Sequence, residues 1–293
     1  MVTACVVYGL GIGCHEEVKH AFIEAGAHAE LTHMNQLLAG KVDFSQAQIL
    51  DIPGGFLQGD ILGAGMCAAN ELEHAEISEE GKTERVKELL LEFVDKGNVI
   101  YAQCNGFQLL VKAGILPGIN GDYSKQTVTL TYNDCGVYRV SQALHKIERP
   151  HFAFKDVDDS DLYLWCRHGE GKIRFFSGSG MISREKAEQN RKKTNSSHVL
   201  LRYANPATHE PTEEFPHNPN GSVDGIAGLV NCDGRIFGHM AHTEVGVYSS
   251  RDSRWFYMKD QLRRQGIKAK GLEGKMLEDV GLKIFKNIVD YFK

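Results

Sequence analysis

The alternation of apolar and polar residues divides the chain into short strands and amphipathic helices. Apolar, largely β-branched runs of four to six residues are typical of buried strands, and they occur at 3–8, 29–32, 48–52, 98–102, 199–203 and 225–230. Apolar residues at i, i+3 and i+4 mark one buried face of a helix, and they occur within 18–25, 83–94 and 280–292. Strands that alternate with helices favour a parallel sheet. The pattern therefore predicts an α/β fold, with a mostly parallel sheet flanked by helices.

The stretch 97–114 is predicted to be a strand, a tight turn and a helix. Its apolar run ends at residue 102, and Phe107, Leu110 and Val111 then follow at the spacing of one helix face. Cys104 lies at the corner, where the unpaired N–H groups of a helix start stabilise negative charge. The alternative is that Cys104 is a small apolar residue packed under the sheet, as most free cysteines are. This stretch alone favours neither interpretation.

A second loop of interest follows the strand 48–52, which runs directly into Pro-Gly-Gly-Phe at 53–56. A Gly-Gly pair beyond the carboxyl end of a strand leaves backbone N–H groups open to close approach by a ligand, and open α/β sheets bind ligands at that edge. A plain turn is the alternative interpretation. We expect this loop and the end of the strand before Cys104 to lie side by side.

The first strand is followed by glycines at 9, 11 and 13, which partly match a dinucleotide-binding fingerprint. That fingerprint requires glycine or alanine one step later, where Cys14 stands, although Glu30 lies at a plausible distance for a ribose contact. Glycines between a strand and a helix more often serve backbone geometry. We therefore favour a structural role for them.

Further along, the chain changes to short strand-like pieces with polar breaks, at 127–132, 137–140 and 162–166. They predict a small β-rich insertion near residues 120–165. The runs 225–230 and 235–239 flank a turn and predict a hairpin.

Two charged segments are predicted to be exposed. Residues 183–193 interleave lysine and arginine with glutamate, which is typical of a solvated helix. Residues 249–276 are polar and basic and predict a second insertion, either a docking surface or an exposed elaboration. We predict one domain, over residues 1–293, that carries both insertions.

Composition narrows the functional classes. A formal net charge of −5 gives no electrostatic argument for nucleic-acid binding. The seven cysteines are scattered without a C-x-x-C pair, which predicts reduced thiols and neither a disulfide framework nor a zinc site. The chain starts directly with a strand-like run, and no apolar run approaches the length of a membrane span. We expect a cytoplasmic protein that binds no membrane.

A nucleophilic cysteine needs a base, and the base needs a group that orients it. Among 13 histidines, His242 stands out because Glu244 lies two residues on, on the same side of an extended segment. The alternatives are an exposed turn and a metal site that adds His239, although H-x-x-H lacks the helical i, i+4 spacing. We predict no metal.

The remaining requirement is an oxyanion hole, for which two backbone N–H groups usually serve. The N–H of Asn105, the first residue after Cys104, is one natural donor. The loop that contains Gly55 and Phe56 is the natural source of the second. These features become one site only if the fold brings them together.

Several motifs, in this order, resemble those of the class I glutamine amidotransferases, and in particular the glutaminase subunits of phosphoribosylformylglycinamidine synthase. They are PGGF-x-x-GD (53–60), CNGFQ (104–108), TLTYND-x-G (129–136), HGEG (168–171), NPNGS-x-x-GIAG (218–228), H-x-E (242–244) and GLKIFKN (281–287). CNGFQ alone indicates only a cysteine amidotransferase. HGEG together with NPNGS-x-x-GIAG is much more particular to this branch.

The resemblance implies a Rossmann-like, flavodoxin-type α/β domain that hydrolyses glutamine to glutamate and ammonia. Cys104 would be the nucleophile, His242 the base and Glu244 its orienter. The N–H groups near Gly55, Phe56 and Asn105 would form the oxyanion hole, and Gln108 would help to hold the substrate glutamine.

The resemblance also implies a partner. Ammonia would pass to a separate synthetase subunit, with or without a small accessory subunit, which aminates formylglycinamide ribonucleotide in purine biosynthesis. ATP and Mg²⁺ would bind to that synthetase, and this chain would hold no cofactor of its own. Another acceptor for the ammonia, and a catalytically silent scaffold, are the alternatives.

The chain departs from the family pattern at two loops. The family usually has P-H-P-E-R where this chain has Ala-His-Thr-Glu-Val at 241–245, so both prolines and the arginine are replaced. Fewer prolines predict a looser loop around His242. The loop at 9–13 also lacks the usual P-G-S pattern.

Overall fold

The computed structural model describes residues 1–79, 82–175, 183–267 and 279–293. Its strands are β1 (Thr3–Tyr8), β2 (His28–His33), β3 (Ile49–Ile52), β4 (Glu76–Glu79), β5 (Lys82–Arg85), β6 (Val99–Gln103), β7 (Val128–Thr131), β8 (Arg139–Ile147), β9 (Tyr163–His168), β10 (Lys172–Phe175), β11 (Val199–Tyr203), β12 (Ile226–Val230), β13 (Ile236–His239) and β14 (Ala241–His242). Its helices are α1 (His15–Glu24), α2 (Met34–Leu38), α3 (Met66–His74), α4 (Val86–Asp95), α5 (Asn105–Lys112), α6 (Arg184–Ser197), α7 (Trp255–Arg264) and α8 (Val280–Asp290).

The main sheet has ten strands in the order β14-β9-β8-β11-β12-β13-β6-β3-β1-β2. The half from β13 to β2 is parallel throughout, and helices lie between β1 and β2, between β2 and β3 and between β3 and β6. The predicted fold class, an α/β fold with a parallel sheet flanked by helices, is confirmed. Because β3 and β6 are parallel neighbours, the loops that follow them do end side by side.

The other half of the sheet is antiparallel. β8 pairs with β9 and β11, and β12 pairs with β11 and β13, so the predicted hairpin is present. The β-rich segment predicted near 120–165 extends the main sheet through β8 and β9. β7 is not part of that sheet and pairs with β10 in a separate two-stranded sheet.

The helix predicted over 83–94 begins later than its sequence pattern indicates. Residues 83–85 belong to β5, which pairs with β4 in a separate hairpin, and α4 begins at Val86. The reason is that the apolar period starts only at Val86, while Thr83, Glu84 and Arg85 offer no apolar side chain to a helix face.

Two hydrophobic clusters cover the two faces of the sheet. Alternate residues of β1 enter opposite clusters, with Val6 on the face covered by α1 and α8, and Val7 on the face covered by α4 and α5. This is the period of two that an extended strand imposes. None of the helices within the described ranges is long and apolar enough to cross a membrane.

The second predicted insertion is described only in part. Residues 249–267 contain α7, which has no buried residue. Phe256 and Tyr257 on α7 are exposed. Residues 268–276 lie outside the described residues.

Candidate active site

Cys104 occupies the corner between β6 and α5. It has φ 49° and ψ −108°, a backbone conformation that is strained for a residue other than glycine, and only 4% of its surface is exposed. Strained backbone of this kind persists where the surrounding structure enforces it, and it clusters at functional sites. Sharp strand-to-helix turns carry the nucleophile in α/β-hydrolases.

Gly106 shows how the sequence builds this turn. A Cβ at this position would lie 1.9 Å from the carbonyl oxygen of Ile52, so only glycine lets the start of α5 pack against the end of β3. The backbone N–H of Gly106 donates to the carbonyl of Pro53 at 3.2 Å. The turn that carries Cys104 is therefore fixed to the loop that follows β3.

His242 and Glu244 form a buried pair at the other side of the site. Nδ1 of His242 lies 2.6 Å from Oε1 of Glu244, as expected for neighbours at i and i+2. Both side chains are almost completely buried, which excludes the exposed turn that the sequence left open. Nε2 of His242 and Oε2 of Glu244 are buried and have no hydrogen-bond partner. The imidazole is thus oriented through one nitrogen and has the other available.

The carboxylate of Glu244 controls the charge on His242. Burial disfavours the imidazolium, but the negative charges of Glu244 and then of Cys104 outweigh it and hold the pKa of His242 well above its usual range. This ring therefore remains protonated to higher pH than an ordinary histidine.

Gly54 brings the thiol and the imidazole together. A Cβ built on it would lie 3.1 Å from Cβ of Cys104 and 2.7 Å from Cε1 of His242. Cys104 and His242 therefore both flank the space that a side chain at position 54 would occupy. A side chain at position 54 would clash with His242 and crowd Cys104.

The residues predicted to build the oxyanion hole and to hold substrate lie around Gly54 and Cys104. The N–H of Phe56 donates to the carbonyl of Gly11 at 2.6 Å, and the Phe56 ring is half exposed and stacks on Tyr138. Gly55 bridges to Ile12 in the same loop pair. The glycine-rich loop after β1 thus supports the loop after β3, in keeping with a structural role for its glycines.

Asn105 and Gln108 are buried and tie the site to its surroundings. Oδ1 of Asn105 accepts from the N–H of Leu57 at 2.9 Å, and Nδ2 of Asn105 donates to Oε1 of Gln108 at 3.0 Å. Nε2 of Gln108 donates to the carbonyl of Glu170. Through these contacts, Gln108 links α5 to the HGEG segment.

The branch-specific motifs meet in one buried polar cluster next to Glu170. Oδ1 of Asn133 accepts from the N–H of Gly171 at 3.0 Å, and Oγ of Ser222 donates to the carbonyl of Gly171 at 3.2 Å. Burial lowers the pKa of His168 in this cluster to about 3, so the ring is neutral. These motifs therefore act together to shape the wall of the site around Glu170.

The proximity of Cys14 to His242 was not predicted from the sequence. Its Sγ lies 3.6 Å from Nδ1 of His242, although the two residues are 228 positions apart in sequence. Burial raises the pKa of the Cys14 thiol. The one available signal was its place after β1, at the same sheet edge as Cys104.

A cleft of about 430 Å³ opens beside this group and is lined by Cys14, Glu17, Arg167, Glu244, Val245 and Arg251. Among the described residues, Cys14, His242 and Glu244 are the group whose ligand atoms lie close enough together to hold a metal ion. His239, which the alternative metal site would need, lies elsewhere. Its Nδ1 contacts the carbonyl of Ala241 at 3.1 Å, and its Nε2 contacts the hydroxyl of Tyr101 at 2.8 Å.

A buried network also supports the loop that contains His242. The hydroxyl of Tyr101 lies 2.8 Å from Nε2 of His239 and 2.8 Å from Oγ1 of Thr243. The backbone N–H of Thr243 donates to Oε1 of Gln103 at 3.2 Å, and Nε2 of Gln103 donates to Asp51. Proline has no N–H to donate and no hydroxyl, so Thr243 replaces the family's proline with hydrogen bonds. These bonds fix the loop that the sequence predicts to be looser.

Replacing Tyr101 with phenylalanine tests this network. Because Tyr101→Phe removes the hydroxyl shared by His239 and Thr243, we expect the free energy of unfolding to fall by about 1–2 kcal/mol. Urea denaturation followed by circular dichroism measures it. Tyr123→Phe is the matched control, since its half-buried hydroxyl meets only Asn231 among the hydrogen bonds described, and we expect it to cost less. An equal loss in both variants would show that the network contributes nothing particular.

Comparisons with known proteins were consistent in sequence and in structure. Residues 1–292 match a family model described as a CobB/CobQ-like glutamine amidotransferase domain. The phosphoribosylformylglycinamidine synthase subunit PurQ of Methanococcus maripaludis is 31% identical over 98% of this chain and 96% of its own length. The PurQ subunit of Dehalococcoides mccartyi is 34% identical over 96% of this chain and 94% of its own.

A solved structure shares the fold. A chain in the structure of PurLQS from Thermotoga maritima superimposes with a TM-score of 0.65 at 20% identity, and the match covers 100% of this chain and 99% of that one.

Proposed function

Because this chain belongs to the CobB/CobQ-like glutamine amidotransferase family, together with the PurQ subunits that it matches along its length, we propose that Cys104, His242 and Glu244 hydrolyse glutamine to glutamate and ammonia. One observation carries the proposal. A buried imidazole, oriented by a carboxylate 2.6 Å from Nδ1, flanks Gly54 on one side, and a cysteine at a strained strand-to-helix turn flanks it on the other.

The proposed reaction uses the two nitrogens of His242 in different ways. Nδ1 is held by Glu244, and Nε2 carries the proton that Cys104 has given up, so that a thiolate faces an imidazolium. The sulfur attacks the side-chain carbonyl of glutamine, and His242 then returns the proton to the departing ammonia. Water, activated by the same nitrogen, hydrolyses the thioester and releases glutamate.

Substrate selection is proposed to rest on the wall next to α5. Gln108 and Asn105 lie one helical turn apart at the start of α5 and bond to each other. Gln108 also bonds to Glu170, whose Oε2 accepts from the N–H of Ala64 at 3.0 Å and lies 3.7 Å from Nζ of Lys112. We propose that glutamine binds against this wall, with Gln108 among its contacts.

Ammonia produced here is proposed to serve a synthetase partner that converts formylglycinamide ribonucleotide to formylglycinamidine ribonucleotide. Two findings support this choice of partner: the relatives are named as subunits of phosphoribosylformylglycinamidine synthase, and the similar Thermotoga maritima chain comes from a structure of PurLQS. ATP and Mg²⁺ would bind to the synthetase, and a small accessory subunit could complete the complex. We propose the cytoplasm as the place of this reaction.

Reconstitution tests this proposal. The chain, its cognate synthetase, ATP, Mg²⁺ and formylglycinamide ribonucleotide should give formylglycinamidine ribonucleotide when glutamine is the nitrogen source. If ammonia supports product formation and glutamine does not, the chain is a silent scaffold. If glutamine is hydrolysed but the ribonucleotide is not aminated, the chain serves another acceptor.

The isolated chain should hydrolyse glutamine slowly. The N–H of Phe56, one of the proposed oxyanion donors, already donates to the carbonyl of Gly11 at 2.6 Å. Removal of one oxyanion donor typically costs about 10²–10³-fold in kcat. We therefore expect glutaminase turnover to rise by about that factor when the synthetase and its ribonucleotide are added, as measured by glutamate release. Equal turnover with and without the partner would contradict this expectation.

A further inference from the structure

Cys14, His242 and Glu244 bring three different ligand types together at the edge of the proposed active site. One ligand atom from each residue lies within 4.8 Å of the other two. Sulfur, imidazole nitrogen and carboxylate oxygen are the donors that zinc prefers. We propose that these residues form an inhibitory site for Zn²⁺ or a similar divalent ion. The regulatory consequence rests on the proposed function, whereas the binding site itself does not.

The distances fit a tetrahedral ion. Zinc bonds of ~2.3 Å to sulfur and ~2.0 Å to nitrogen place the two ligand atoms about 3.5 Å apart. The observed separation of Sγ of Cys14 and Nδ1 of His242 is 3.6 Å. Oε1 of Glu244 lies 2.6 Å from Nδ1, so the carboxylate would have to withdraw by roughly 0.7 Å to reach zinc geometry.

The carboxylate of Glu244 also has a second oxygen that is able to bind the ion. Its Oε2 is buried and has no hydrogen-bond partner. A buried carboxylate oxygen without a donor is costly, and a cation would satisfy it. The open cleft provides the route of entry and the fourth position, which water or the exposed carboxylate of Glu17 would fill.

Charge in the cleft is balanced. Arg167 and Arg251 also line it, and their positive charges oppose a free cation. A divalent ion bound by one thiolate and one carboxylate adds no net charge, however, so the two arginines repel the bound ion only weakly. The site therefore selects ions that bind thiolate strongly, and Mg²⁺ or Ca²⁺ would not compete.

Bound metal would stop the proposed reaction by changing the tautomer of His242. An ion on Nδ1 displaces the proton from that nitrogen and leaves the single proton of the neutral ring on Nε2. His242 cannot pass this proton to the departing ammonia without becoming an imidazolate, and Nε2 has no lone pair with which to activate water. Inhibition should therefore be complete when the site is occupied, and a chelator should reverse it.

Cobalt is a suitable probe because Co²⁺ bound to thiolate absorbs in the near ultraviolet. Metal-free, reduced full-length protein should develop one equivalent of this absorption on titration with Co²⁺, and Zn²⁺ should displace it. Cys14→Ala should weaken binding by at least about tenfold. Cys135→Ala is the control, since that thiol is exposed and lies outside the group. Circular dichroism establishes that each variant is folded.

Two variants separate this site from metal bound to the proposed nucleophile. Cys104→Ala should keep the cobalt band, because its sulfur is not among the three ligands. If the band disappears in Cys104→Ala and persists in Cys14→Ala, or if wild type shows no band, the inference is wrong. Because the titration contains no glutamine, a protein that binds Co²⁺ through Cys14 but lacks glutaminase activity would disprove only the proposed function.

Discussion

Cys104→Ala should abolish glutamine-dependent synthesis of formylglycinamidine ribonucleotide in the reconstituted complex and leave ammonia-dependent synthesis intact. The physical reason is that the proposed thioester forms on the sulfur of Cys104, whereas free ammonia reaches the synthetase without it. Removing a nucleophile that acts within a triad costs at least about 10⁴-fold in turnover. Product formation with each nitrogen source, at equal protein concentration, measures the effect.

Cys5→Ala is the matched control for this experiment. Cys5 and Cys104 are both 4% exposed, but Cys5 lies in β1, and its thiol lies 2.9 Å from the hydroxyl of Thr32. We expect this variant to retain glutamine-dependent synthesis. Glutamine-dependent product from Cys104→Ala at the wild-type rate would show that Cys104 is a packed, unreactive cysteine.

Glu244→Gln should lower the kcat of glutamine hydrolysis by about 10²–10⁴-fold, with little change in the position of His242. Glutamine has nearly the same shape as glutamate and can still accept from Nδ1, but it carries no charge. Once the carboxylate is gone, the desolvation of the buried ring dominates, and the pKa of His242 should fall.

The pH profile distinguishes this electrostatic role from a loss of structure. Wild-type activity should persist to high pH, because the raised pKa keeps His242 protonated opposite the thiolate. In Glu244→Gln the alkaline limb of kcat/KM should move to lower pH. Glu210→Gln is the control, since that exposed carboxylate pairs with Lys146 on the surface. An unchanged alkaline limb in Glu244→Gln would contradict the assigned role of Glu244.

The helices and strands with a regular spacing of apolar residues were predictable from sequence, because that spacing is a local property of the chain. The strand before Cys104, the turn and the helix after it follow from residues 97–114 alone. The start of α4 was misplaced because the prediction extended the helix over Thr83 to Arg85, which precede the apolar period and pair with β4 instead.

Contacts within the candidate site were predictable only between residues that are close in sequence. His242 and Glu244 are two residues apart, so an extended segment puts them on one side. Cys14 and His242 are 228 residues apart, and only the parallel order of the strands brings them together. The hydrogen bonds of Thr243 were likewise hidden, since their partners lie on β6 and β13.

The role of Cys104 as the nucleophile is tested most directly by covalent labelling with a glutamine analogue that carries a diazoketone, followed by peptide mass spectrometry. The reagent reacts only with a nucleophile that sits where the side-chain amide of glutamine binds. We expect one equivalent of adduct, on the peptide that contains Cys104, and protection by glutamine. An adduct on Cys14 or another cysteine, or no adduct even with the synthetase present, would contradict it.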